Sequence, residues 1–225
     1  MYKIDLRELD YYYINLPEHG DRSTSLLERL HRVNINPNNI ERINGIRKEG
    51  IPQDQIYIGC FHSQLKALKH SVEKGVPFVI LEDDAMINRF PDFLDIPDNA
   101  CSVYIGVSKW GLSPQATNNL ASYNSLIYDR FNEDFVRVYN MLSSHAILYI
   151  DMDYVKELIN ELERNLDGDV ISSNSQNIPM LYYGGNMLPC DIIMSNMQSK
   201  FNIYGLRDPI FYQDDKHEYC TLIKL

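Results

Sequence analysis

The sequence predicts an α/β fold, a sheet of buried strands flanked by amphipathic helices, and three observations carry that reading. The apolar run Val76-Pro77-Phe78-Val79-Ile80-Leu81 is long enough for one interior strand and breaks off into Glu82-Asp83-Asp84; continuous apolar runs of this length mark strands buried on both faces. Leu26, Leu27, Leu30 and Val33 recur at helical spacing, as do Phe61, Leu65, Leu68 and Val72, and then Val155, Leu158, Ile159 and Leu162. Strand, helix and strand follow one another from the start, which opens a parallel α/β unit. The 225 residues, free of repeats and low-complexity tracts, suit a single domain spanning 1–225.

In order along the chain, Tyr11-Tyr12-Tyr13-Ile14-Asn15-Leu16 reads as a strand stopped by Pro17. A helix follows, capped by Asp21 or Ser23 or opened by a Ser25/Glu28 capping box. Asn36-Pro37-Asn38-Asn39 is a turn, and Ile40 to Ile46 a second strand. A helix from about Gly59 to Lys74, stopped by Gly75, leads into the strand that ends at Glu82. Cys101 to Gly106 makes another strand. Lys109 to Glu133 has no sustained period and reads as a long loop of functional kind. Phe135–Tyr139 is expected to pair with Ala146–Ile150, and Asp151 or Asp153 to cap the next helix. Leu181–Gly185 and Leu188–Asp191 read as turn-rich, Phe201–Leu206 as a late strand, and Tyr219–Leu225 as a terminal segment.

Composition narrows the function. A formal net charge of −10 with scattered Lys and Arg excludes a nucleic-acid face, which needs a basic patch. Charged residues at the N-terminus do not suit a signal peptide, and no run reaches the length of a membrane span; a cytoplasmic protein is expected, with peripheral membrane association left open. Cys60, Cys101, Cys190 and Cys220 are far apart and form no C-x-x-C pair, so reduced thiols are expected. Three carboxylates at the carboxyl end of a buried strand lie where α/β sheets bind ligands. They repel one another unless a cation joins them, and oxygen donors suit a hard divalent metal with a phosphorylated ligand. Capping of a turn or helix is the competing reading of Asp83 and Asp84.

Three groups of residues, in order, resemble the signatures of glycosyltransferase family 25, the lipopolysaccharide-type and collagen-type sugar transferases. They are Tyr13-Ile14-Asn15-Leu16 with Asp21-Arg22; Gly59-Cys60-Phe61-His62-Ser63 followed by Val79 to Asp84; and Ala146 to Ile150 followed by Pro189-Cys190-Asp191, Pro209 and Gln213. Two features depart from the family: Ser63-Gln64 stands where Ser-His is usual, and 109–133 matches nothing. The resemblance implies a GT-A fold, a Rossmann-like α/β/α sandwich with a mostly parallel central sheet. It also implies a nucleotide-sugar donor, most simply a UDP-hexose, with Mn2+ (or Mg2+) and inversion at the sugar.

On that footing Asp84 is assigned to the metal, Glu82 to metal or ribose, and Asp83 to ribose or donor sugar. His217 is a candidate third ligand. Asn15, Leu16, Arg22 and Asn44 are assigned to the nucleotide-sugar, Arg22 through its phosphate-matching fork. Asp191 is the candidate base for the acceptor hydroxyl, with His62 and His145 as rivals. Trp110, Tyr123 and Tyr128 are candidates to stack on a sugar. The acceptor is a glycan, lipid-linked or protein hydroxyl. The alternatives are a non-catalytic nucleotide-sugar or glycan-binding relative and a metal-dependent phosphoester hydrolase.

Overall fold

The structure, a computed structural model, describes residues 1–47, 57–112, 123–167 and 188–213. Its centre is an eight-stranded sheet. The strands that form it are β2 (Asp10–Asn15), β3 (Ile40–Asn44), β4 (Phe78–Glu82), β7 (Ser102–Tyr104), β10 (Tyr128–Arg130), β11 (Phe135–Val138), β12 (Ala146–Tyr149) and β13 (Ile203–Leu206), in the order β10-β11-β13-β7-β12-β4-β2-β3. Two-stranded ribbons add β1 (Tyr2–Asp5) with β6 (Phe93–Ile96), β5 (Ala85–Ile87) with β14 (Phe211–Gln213), and β8 (Trp110–Leu112) with β9 (Tyr123–Ser125).

Side-chain alternation sorts the core into two layers. Tyr12, Phe78, Ile80, Ile147 and Tyr149 face one side of the sheet. There they meet α2 (Tyr57–Ser71), α3 (Met152–Asp167) and α4 (Cys190–Met197) through Phe61, Leu65, Leu68, Val155, Leu158, Leu162 and Ile193. Tyr11, Tyr13, Val79, Leu81, Val103 and Leu148 face the other side, against Leu26 and Leu30 of α1 (Gly20–Arg32) and Ile4, Leu94 and Ile96 of the β1–β6 ribbon. Two of the three tyrosines of β2 pair their hydroxyls, while the Tyr12 hydroxyl is buried without a partner. Tyr11 Oη donates to Leu6 O at 2.7 Å, Tyr13 Oη bonds Ser23 Oγ at 2.8 Å, and the Tyr12 ring lies under Lys74 Nζ at 5.5 Å.

The sheet is mixed, which corrects the mostly parallel expectation. β2 runs parallel to β3 and β4, and β7 to β13, but β12 is antiparallel to both its neighbours and β11 to both of its own. The expected pairing of Phe135–Tyr139 with Ala146–Ile150 does not form. All four residues of β12 are buried, so it takes a central place between β4 and β7 where both faces are covered. β11 carries Arg137, whose guanidinium donates to Ile203 O and Val138 O at 2.8 and 2.9 Å, to Gln198 O at 2.9 Å, and to Phe201 O. That fork ties β11 to β13 instead.

Other boundaries also shift. α1 starts at Gly20, behind His19, with no side-chain cap, so Asp21 serves in the first turn and neither Ser23 nor a Ser25/Glu28 box caps it. Asp151 Oδ1 caps α3, accepting from Asp153 N at 2.8 Å and Tyr154 N at 3.3 Å. Among the described residues, the long loop expected over 109–133 contains three short strands. The Asn140 side chain bridges β8 and the link between β9 and β10, donating to Leu112 O at 3.0 Å and accepting from Ile127 N at 2.6 Å. Leu188–Asp191 opens α4 rather than a turn. Leu181–Gly185, His217 and Tyr219–Leu225 lie outside the described residues. No helix among the described residues is long and apolar enough to cross a membrane.

Candidate functional site

The carboxyl ends of β2, β3 and β4 lie side by side, with Asn15 paired in register to Asn44 and Ile14 to Glu82. β12 starts at the same edge because it runs the opposite way, so Ser143, Ser144 and His145 arrive beside Glu82. The acidic run therefore ends a buried strand at the edge where parallel α/β sheets bind ligands.

Each acid has a distinct setting. Glu82 Oε1 accepts from Ser144 Oγ at 2.6 Å and from Gln64 Nε2 at 3.2 Å, while its backbone N donates to His145 O at 2.9 Å. Desolvation, then the charge of Asp84, pushes its carboxyl up to about 7, against the two hydrogen bonds that favour the charged form; Asp191 raises it further. Asp83 is held by Asn15 Nδ2 at 2.8 Å and faces Arg22 Nη1 at 3.4 Å. Asn15 is itself fixed, its Nδ2 donating also to His19 O at 2.8 Å. Asp84 is raised by burial and by Asp83, and Gln213 Nε2 reaches its Oδ2 at 3.5 Å. Asp191, in the first turn of α4, accepts from Ile192 N at 2.9 Å and is raised by burial.

Polar atoms without partners concentrate here. Among the described residues, Asp84 Oδ1, Asn15 Oδ1 and Gln64 Oε1 are buried acceptors that meet no donor. Buried polar atoms are nearly always paired, so three such acceptors beside four carboxylates form a site short of donors and positive charge. Arg22 is the cation that meets them in the described residues. The adjacent imidazole adds none: burial lowers His145 to about 4, so it stays neutral, bonded through Nδ1 to Ser143 Oγ at 2.8 Å.

The donor set fits a hard divalent ion, since it is all oxygen. No three His, Cys, Asp or Glu side chains among the described residues group as a complete metal cage. An ion held by one or two carboxylates and completed by ligand phosphates needs no such cage, and Asp84 with its free Oδ1 and Glu82 beside it are the groups that would hold it. His217 lies outside the described residues.

The other expected residues divide. Arg22 is engaged with Asp83 rather than standing open to a phosphate. Leu16 packs beside Gly45. Asn44 is exposed, its carbonyl accepting from Lys66 Nζ at 3.0 Å. His62 is half-buried against Phe61. It stands two positions from Gln64, and side chains two apart on a helix point to different faces, so with Gln64 aimed at Glu82 the base assignment to His62 is not supported. Trp110 is exposed on β8, with Lys109 Nζ 5.5 Å from its ring.

Sequence reading missed the grip on Glu82. Gln64 stood out as a departure from the family pattern, and its amide proves to be one of the two donors holding that carboxylate. Ser144 carried no signal, since a serine before a strand has no distinctive spacing.

No family model matches the chain, and no curated protein matches it. Solved structures with a weak likeness to it include the following two. One is a nucleoside-diphosphate-sugar pyrophosphorylase from Vibrio cholerae RC9, 12% identical, with a TM-score of 0.43 over 88% of this chain and 72% of that one. The other is a glycosyltransferase involved in glycosylation of the major capsid of PBCV-1, 10% identical, with a TM-score of 0.41 over 93% of this chain and 94% of that one. At these values neither likeness decides this chain's family or its chemistry.

Proposed function

We propose that the protein is a metal-dependent glycosyltransferase of the family 25 type, moving a hexose from a nucleotide-sugar, most simply a UDP-sugar, to a glycan, lipid-linked or protein hydroxyl. One observation carries the reading: three donorless buried acceptors and four carboxylates gather at the carboxyl edge of parallel strands. The ordered signature residues quoted above support the same class.

Asp84 and Glu82 would hold Mn2+ or Mg2+, which would neutralise charge on a diphosphate leaving group. The residues of the chain do the rest. Asn15 and Arg22 fix Asp83, leaving its carboxylate to accept from a ribose or sugar hydroxyl. Gln64 and Ser144 hold Glu82 in one orientation. Asp191 takes the acceptor's proton; a buried carboxylate with a raised pKa is a stronger base than an exposed one.

The test is nucleotide release from UDP-, GDP-, CMP- and TDP-sugars, with Mn2+, with Mg2+ and with chelator, for the wild type and Asp84→Asn. Release from one donor that chelator and Asp84→Asn both abolish supports the reading. Release unaffected by Asp84→Asn overturns the metal assignment. Donor binding by calorimetry without turnover, with any acceptor class supplied, would leave a binding-only relative as the better description.

A further inference from the structure

We propose that Trp110 is the stacking platform of the acceptor subsite, and that the acceptor it takes is a neutral sugar, a pyranose laying its C–H face on the indole. The inference rests on the glycosyltransferase reading and names the acceptor that reading leaves open.

Backbone pairing brings Trp110 to the acidic cluster. The segment Asn140–Leu142 runs antiparallel beside β8. Gly111 bridges Met141, Leu142 N donates to Trp110 O at 3.0 Å, and Leu112 N donates to Asn140 O at 2.8 Å. The same segment continues into Ser144, whose hydroxyl bonds Glu82 at 2.6 Å. Leu142 and Ser144 are two residues apart, at most about 7 Å of chain. β8 also packs against α4, whose first turn carries Asp191. The indole therefore belongs to the rim of the cluster, beside the segment that orients Glu82 and the helix that bears the proposed base.

The platform is both held and open. Gly111 lets the Asn140 amide lie against β8, since a Cβ there would stand 2.3 Å from Asn140 Nδ2. Trp110 is 46% exposed even with Lys109 Nζ 5.5 Å from its ring, so apolar ring surface remains for a ligand to cover. The other exposed aromatic rings among the described residues lie elsewhere, Tyr2 and Phe93 on the β1–β6 ribbon and Phe131 just beyond the edge strand β10.

The chemistry selects the occupant. A pyranose offers a flat C–H face to an aromatic ring and a rim of hydroxyls to polar groups, the apolar wall with few polar contacts of a small-molecule site. A hydroxyl on that rim is the group Asp191 would deprotonate. A peptide Ser or Thr brings one hydroxyl and no matching face. The carboxylates of Glu82, Asp83, Asp84 and Asp191 repel an anionic sugar, which leaves a neutral one.

Trp110 is the one tryptophan of the sequence, so indole emission reports this position alone. The full chain, with UDP and Mn2+ present, is titrated with neutral methyl hexopyranosides and short neutral oligosaccharides, with a uronic acid glycoside, and with a Ser/Thr peptide. Calorimetry repeats the titrations on wild type, Trp110→Phe and Trp110→Ala. The expected result is a saturable emission shift with a neutral sugar, and affinity weakened at least about tenfold in Trp110→Ala but less in Trp110→Phe, which keeps an aromatic face. Four results overturn the proposal: no emission shift with any neutral sugar, a shift with the peptide alone, tighter binding of the uronic acid glycoside, or sugar affinity unchanged in Trp110→Ala. A sugar response in a chain that transfers no hexose from any donor would uphold the sugar platform and overturn the transferase reading instead.

Discussion

Replacing Glu82 by Gln tests the electrostatics of the site directly. A free glutamate titrates at about 4.3, whereas Glu82 is pushed up to about 7. A folded pKa above the unfolded one means that the folded state holds the proton more tightly. The resulting stability is fully present below about pH 4.3 and is lost as pH rises through 7. The displacement corresponds to roughly 3.8 kcal/mol at about 1.4 kcal/mol per pKa unit, and the partial opening of the site to water trims it to ~2 kcal/mol. Gln preserves the acceptor for Ser144 Oγ and Gln64 Nε2 but carries no charge at any pH, so the variant lacks this dependence. Urea unfolding of both proteins at pH 5, 6, 7 and 8, without divalent ions, gives the comparison. The variant is expected to gain on the wild type by about 1–2 kcal/mol as pH rises from 5 to 7 and to change little more between 7 and 8. A difference that stays constant over that range would refute the assignment of Glu82 as a desolvated, partly protonated carboxyl.

Other substitutions probe the surroundings. Ser144→Ala removes the 2.6 Å hydrogen bond that favours charged Glu82; the pH at which wild-type stability falls away is expected to move upward, with a loss of about 1 kcal/mol at pH 8, read by the same urea series. Asp191→Asn is expected to cut transfer by at least about 100-fold while calorimetric donor affinity stays within a few-fold; equal activity would remove Asp191 as the base. Gly106→Ala puts a Cβ 2.2 Å from His145 Nε2 and 2.9 Å from Ala146 Cβ, and is expected to cost about 1–3 kcal/mol. A denaturation midpoint unchanged in that variant would mean the β12 entry gives way freely.

The parts of the fold legible in the sequence were those set by local period. The tyrosine-rich strand, the apolar run ending at Glu82 and the three helical stripes all fall where hydrophobic spacing puts them, because their buried faces depend on residues three, four or two positions away. Strand partners were not legible. β11 joins β13 through the reach of Arg137 to four carbonyls spread over three segments, a contact without sequence signature. The β1–β6 ribbon was hidden similarly, since Tyr2–Asp5 finds its partner about ninety positions away. In the site, the acids were visible as a run, whereas the donors that discipline them were not. Gln64 and Ser144 come from separate elements and meet at Glu82 only because β12 is reversed.

That reversal links architecture to chemistry. With β12 running against β4, the segment entering it lies at the same edge as the carboxyl end of β4, and Ser144 can bond Glu82 there. A parallel neighbour at that position would present its own carboxyl end there and send the segment that enters it to the far edge. The held Glu82 then faces Asp84 and Asp191, and each buried charge raises the cost of the next. The fold retains this repulsion although Gln or Asn would fit the same space at lower cost, a pattern of local strain characteristic of functional sites. Two of the acceptors left without donors, Asn15 Oδ1 and Asp84 Oδ1, lie at the strand edge. The energetic deficit and the proposed binding surface therefore coincide, and a cation with its phosphorylated ligand would relieve the first by occupying the second.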